Sequence, residues 1–154
     1  MSGSGAPTLV PEALTGDVTV TIVASSWHDT VMDGLIAGAR RALGEAGVSV
    51  ELVRVPGSFE LPLGCARAFD RGADAVVALG VVIRGGTPHF DYVCEGATAG
   101  IMELMVRERK PIGYGLLTCD NEAQALDRCG VNGSHEDKGY EAACAALAMV
   151  GASA

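Results

Sequence analysis

Aromatic side chains are scarce in this sequence: 5 % of 154 residues, with one tryptophan. A core short of rings must be filled by Ala, Val, Leu and Ile, and a hydrophobic content of 49 % allows it. Positive charge is scarce as well. Eleven Lys and Arg stand against nineteen Asp and Glu, a net charge of −8. That excludes a nucleic-acid footprint, which needs a basic face. It does not exclude an anionic ligand, because a few placed cations decide a local field; Arg84, His89, Arg128 and Lys138 all lie near polar turns. No run is long and apolar enough to span a bilayer, and residues 1–5 have no basic stretch leading into an apolar one, so neither a membrane partner nor secretion is expected. The five cysteines include no CxxC pair and sit mostly inside apolar patterns. They read as reduced, buried small hydrophobes of a cytoplasmic protein, and no clustered ligand set for a metal is visible.

Glycine is plentiful, with 21 residues spread between apolar runs, which predicts many tight turns rather than disorder. The length fits one domain. Residues 1–15 read as a flexible N-terminal arm, able also to pair with a neighbouring sheet edge, and residues 16–154 as a single domain. Strands are predicted over 18–24, 48–55, 75–83 and 112–117, the third a nearly continuous apolar run. Helices are predicted over 30–46, 59–71, 90–109, 122–129 and 138–150. Gly47 and Gly72 are read as helix stops, and 130–137 as a loop. The order β-α-β-α-β-α-β-α-α implies an α/β fold: a parallel four-stranded sheet with helices on both faces. Ligands of such sheets sit beyond the carboxyl ends of the strands. All four polar breaks fall there: 25–29, 56–58, 84–89 and 118–121.

The richest stretch is Gly80 to Cys94, GVVIRGGTPHFDYVC. A buried strand runs into Arg84, two glycines and a threonine, and His89 opens a helical pattern. Backbone N–H groups at such a turn can hold an anion, with a titratable imidazole beside it. This points to chemistry on a phosphorylated small molecule. On the residues alone, other roles stay open. Trp27 reads as a core aromatic or as a stacking platform. Gly85-Gly86-Thr87 reads as a plain turn or an anion cradle. Glu60 reads as a first-turn carboxylate or an acceptor for hydroxyls, and Arg128 as a cation at a helix C-terminus or an anion ligand.

Four motifs stand in order: Ser25-Ser26-Trp27-His28; Val55-Pro56-Gly57-Ser58-Phe59-Glu60-Leu61-Pro62; the Gly80–Cys94 stretch; and Leu117-Thr118 through Gln124-Ala125-Leu126-Asp127-Arg128 to Asp137-Lys138-Gly139. Together they resemble the lumazine synthase family over about 18–150. The resemblance implies a flavodoxin-like, three-layer αβα sandwich on a four-stranded parallel sheet. It implies a transferase of riboflavin biosynthesis that condenses 5-amino-6-(D-ribitylamino)uracil with 3,4-dihydroxy-2-butanone 4-phosphate to 6,7-dimethyl-8-ribityllumazine. Phosphate and water are released, and no metal or organic cofactor takes part. It also implies a homo-oligomer with active sites between adjacent subunits.

By that resemblance His89 moves protons, and Gly85, Gly86, Thr87 and a neighbour's Arg128 bind phosphate. Trp27 stacks on the pyrimidine, where many members carry Phe followed by Asn. Ser58, Phe59 and Glu60 meet the ribityl chain, and Val81, Val82 and Ile83 wall the heterocycle. Tyr114 and Lys138 reach it from the second subunit, and Asp137 either orients Lys138 or caps the helix start, or serves both ends. Arg84 is expected to pair with a neighbour's carboxylate, and His28 to be an exposed polar residue. The loop 130–137 reads as longer than in shell-forming relatives, which favours a free pentamer over a 60-subunit shell. The rival readings are a flavodoxin-like carrier and a non-catalytic lumazine- or flavin-binding or shell-forming relative. A carrier would need a Gly-rich loop after the first strand, and 25–29 has no glycine.

Overall fold

The computed structural model describes Gly5, 7–14 and 16–152; the parts of the N-terminal arm at 1–4, 6 and 15, and residues 153–154 of the domain, lie outside the described residues. Four strands form one sheet: β1 (Thr19–Ser25), β2 (Ser49–Val55), β3 (Ala75–Ile83) and β4 (Ile112–Cys119). Their order is β2-β1-β3-β4, all parallel. Five helices surround it: α1 (Asp29–Glu45), α2 (Leu61–Asp70), α3 (His89–Glu108), α4 (Glu122–Leu126) and α5 (Lys138–Gly151).

The layers follow from where the apolar side chains go. β1 and β3 are central and covered on both faces, so their β-branched runs need no alternation. One core cluster joins the sheet to α1, α4 and α5 through Leu35, Leu43, Ile22, Val77 and Leu147. The other joins the opposite face to α2 and α3 through Leu61, Val76, Ala97 and Ile101. This is the αβα sandwich that the element order implied. Edge strand β2 exposes Val50 and Leu52.

Three boundaries differ from the predicted ones by more than one residue. The helix expected from 59 starts as a 3-10 turn, Ser58–Glu60, and α2 begins at Leu61. Pro62 lacks an N–H and its ring opposes the carbonyl four residues back, so a regular α turn cannot extend upstream. β4 runs to Cys119 rather than 117. Within it Gly113 lets α5 approach, since a Cβ there would lie 2.1 Å from the Ala142 carbonyl oxygen. α4 stops at Leu126, not 129. The chain at 130–137 folds back as a closed return, with Cys129 bridged to Asp137. The N–H groups of His135 and Glu136 both donate to the Asp127 carbonyl, at 3.1 Å each, which holds this return against the end of α4. Residues 7–14 of the arm carry no helix or strand, and Leu14 packs beside Gly151 at the end of α5.

Candidate active site

Register builds the site. The last β3 residue paired with β1 is Leu79, yet β3 continues to Ile83 alongside β4. Gly80 to Ile83 therefore extend past the pairing with β1, and a cleft of about 470 Å³ opens against Val81, Val82 and Ile83. Its walls are Trp27 and His28 after β1, Gly57 to Glu60 after β2, Val81, Val82 and Ile83, and His89 and Val93 of α3. This is the carboxyl edge of the sheet, where the polar breaks were expected to converge.

Each wall is fixed by a specific contact. Ser26 Oγ donates to the Val55 carbonyl at 2.8 Å and ties the Trp27 loop to the end of β2. His28 takes a left-handed backbone, φ 58°, ahead of α1, a strained choice for a side chain with a Cβ. Trp27 is 65 % exposed, so the core reading of this residue fails and its indole faces the cleft opening. Ser58 is buried and its hydroxyl donates to the Val81 carbonyl at 3.3 Å, so this side chain pins the cleft wall and presents no free hydroxyl. Phe59 is exposed and lies against Gly96 of α3, where a Cβ would come within 2.9 Å of its ring. The backbone N–H of His89 donates to Thr87 Oγ1 at 3.4 Å, which holds the turn to the helix start. Gly85, Gly86 and Thr87 border the cleft through the chain rather than line it. At both glycines a Cβ would find nothing within 4 Å, so ligand atoms can approach their backbone.

Three predicted residues are not brought to this cleft within one chain. Tyr114 pairs with Ala78 in the sheet register, five residues short of Ile83, or roughly 16 Å down the strand. Its hydroxyl meets Thr98 Oγ1 of α3 at 2.6 Å, and burial pushes its pKa up although that hydrogen bond opposes the shift. Arg128 donates to the Gln124 carbonyl at 2.9 Å, capping the end of α4. Lys138 Nζ lies 2.8 Å from Glu136 and 2.7 Å from Glu141. Partial burial pulls the Lys138 pKa down, but the two carboxylates outweigh it and raise it above the ordinary lysine value.

Asp137 and Arg84 both find partners within the chain. The Asp137 carboxylate accepts from Tyr140 N at 2.9 Å as the cap of α5, one of its two expected roles, and pairs with Arg41 at 2.7 Å. Arg84 pairs with carboxylates of its own chain, Asp91 and Asp120.

Residues 17–153 match the family model described as 6,7-dimethyl-8-ribityllumazine synthase. A relative of that name from Kocuria rhizophila is 62 % identical over 96 % of this chain and 95 % of its own length. Another from Streptomyces coelicolor is 59 % identical over 96 % of this chain and 92 % of its own, and one from Clavibacter michiganensis matches to the same extent. The chain belongs to the 6,7-dimethyl-8-ribityllumazine synthase family. The matched segment takes in every strand and helix from β1 to α5, so the outlying Tyr114, Arg128 and Lys138 belong to the lumazine synthase match as fully as the cleft does.

Two cleft residues of this lumazine synthase family member were not picked out from sequence. Val93 stands four residues after His89, hence on the same helix face, and that spacing was the available signal. His28 was read only as an exposed polar residue. It is exposed, but it also lines the cleft beside Trp27.

Proposed function

We infer that this chain makes 6,7-dimethyl-8-ribityllumazine, a transferase step of riboflavin biosynthesis, in the cleft between Trp27 and His89. The observation that carries the reading is the meeting of an exposed indole, Glu60 and His89 in one pocket bordered by an open Gly-Gly-Thr turn. Trp27 would stack on the pyrimidine ring and Val81, Val82 and Ile83 would wall it. Glu60 would accept from ribityl hydroxyls, with Ser58 and Phe59 shaping that side. The amides of Gly85, Gly86 and Thr87 would cradle the butanone phosphate. The 5-amino group attacks the ketone and loses water to give an imine; phosphate then leaves; the ribitylamino nitrogen closes the ring with loss of the second water. His89 carries protons between these steps. Holding two reactants in register supplies much of the acceleration.

The site is completed by a second copy of this chain, which brings Arg128 to the phosphate and Tyr114 and Lys138 to the ring. Helix α3 supports that reading. Of its 20 residues only Ala97, Ile101 and Leu104 are buried, while Tyr92 is 71 % and Val106 68 % exposed. A helix with so uncovered an apolar surface fits an oligomer contact. The closed return at 130–137 supports a free pentamer over a shell. All five cysteines are free, which suits a reducing cytoplasm.

The test is an activity assay joined to a mass measurement. The purified chain with both substrates should form product absorbance, and light scattering should give about 79 kDa, five copies of 15.7 kDa. Arg128→Ala should raise KM for the phosphorylated substrate about 10- to 100-fold, the size of a lost charge-assisted hydrogen bond, with kcat little changed. A megadalton particle would reject the pentamer, and an effect on kcat alone would reject the role of Arg128.

A further inference from the structure

Arg84 is the cation nearest in sequence to the Gly85-Gly86-Thr87 turn, and two roles compete for it: ligand of the phosphate, or brace of the turn that binds it. Its contacts favour the second. Its N–H donates to the Cys119 carbonyl at 2.9 Å, which carries the β3–β4 ladder one residue past β3. The guanidinium donates through Nε to Asp120 at 2.9 Å and through a terminal nitrogen to Asp91 at 3.2 Å. Its carbon lies 4.1 Å from the centroid of the Phe90 ring. One planar fork thus joins the end of β3, the end of β4 and the first turn of α3. The hydrogen bond it donates to Asp120 holds its pKa above the ordinary arginine value, against the opposing effect of desolvation.

The turn itself needs such a brace. Nothing packs where a Cβ would sit on Gly85 or Gly86. Its shape is therefore set from its ends: Arg84 on one side and the Thr87–His89 hydrogen bond on the other. A guanidinium already facing two carboxylates has little net charge to offer a third anion. Its pairs are also exposed, and pairs of that kind add little to stability.

We propose that Arg84 is a positioning residue, which through Asp91, Asp120 and Phe90 fixes both the Gly85–Thr87 turn and the start of the helix that carries His89. This rests on the reading of the cleft given above.

The experiment compares the full chain with Arg84→Ala, Arg84→Lys and the double variant Asp91→Asn/Asp120→Asn. The readouts are kcat, KM for the phosphorylated substrate, binding of inorganic phosphate by calorimetry, and Tm. Misplacing reacting groups by about 1 Å costs up to about 100-fold, so Arg84→Ala should lose about tenfold or more in phosphate affinity and a similar factor in kcat. The double variant keeps the cation and should reproduce both losses. Arg84→Lys should rescue little, because an ammonium cannot serve two carboxylates and a ring at once. Tm should move by only a few degrees. If Arg84 were a phosphate ligand, removing its carboxylates would strengthen phosphate binding and lysine would restore much of it. Tighter or unchanged phosphate binding in the double variant therefore overturns the proposal. A parent chain that neither binds phosphate nor forms product overturns the reading of the cleft instead.

Discussion

Replacing His89 with alanine is expected to lower kcat about 100-fold, within the range of a lost general acid–base group, without loosening the fold. The two halves of this expectation come from the same geometry. His89 is the first residue of α3 and is exposed, and its hydrogen bond to Thr87 uses its backbone N–H, which alanine retains. Alanine is also the best helix former. The helix start and the Thr87 contact should therefore survive, and Tm should stay within a few degrees. What goes is the imidazole facing Trp27 and Glu60 across the cleft. Proton traffic at imine formation and phosphate loss would fall to water. Steady-state kinetics with both substrates checks this. KM for the ring substrate should change little, because stacking on Trp27 and contacts to Glu60 remain. An unchanged kcat would remove His89 from the reaction.

The largest effect on stability is expected at Gly139, in the first turn of α5. A Cβ at this position would lie 2.0 Å from the carbonyl oxygen of Leu35, and the contact is with backbone, which cannot swing aside. Helices α1 and α5 meet here with no room for a side chain, so Gly139→Val must push them apart and open the core around Leu35 and Ala143. Overpacking of this kind costs about 3 kcal/mol or more, or roughly 10 °C in Tm for a chain of this size. Activity should fall with it, since Asp137 and Lys138 sit at the same helix end. Gly44→Ala is the control. It lies in α1 with open space at its Cβ position, and alanine there should stabilise by about 0.5–1 kcal/mol. Calorimetric unfolding of both variants checks the pair. Similar Tm values would show that the α1–α5 contact yields more easily than its geometry implies.

Where the chain could be read from sequence, short-range pattern and long-range structure agreed. β3 has the expected bounds because nine apolar residues between a polar start and Arg84 admit one reading. The convergence of four polar turns on one edge followed from topology alone. The sequence pattern failed where distant residues decide. The turn that follows α4 depends on residues eight or more positions later, which donate to the Asp127 carbonyl. The Gly113 approach depends on α5, about thirty residues away. Whether Trp27 is buried could not be read from β1, because the answer lies in how far β3 outruns it. The ion-pair partner of Asp137, Arg41, lies across the α1–α5 contact, beyond the reach of any local pattern.

The scarcity of aromatic residues has one further consequence. The only indole in the chain stands at the mouth of the cleft, so emission excited at the red edge of protein absorbance comes from that point and nowhere else. The molecule carries its own optical probe: a flat ring settling on Trp27 should quench its emission, and a fluorescence titration would then read occupancy without a label.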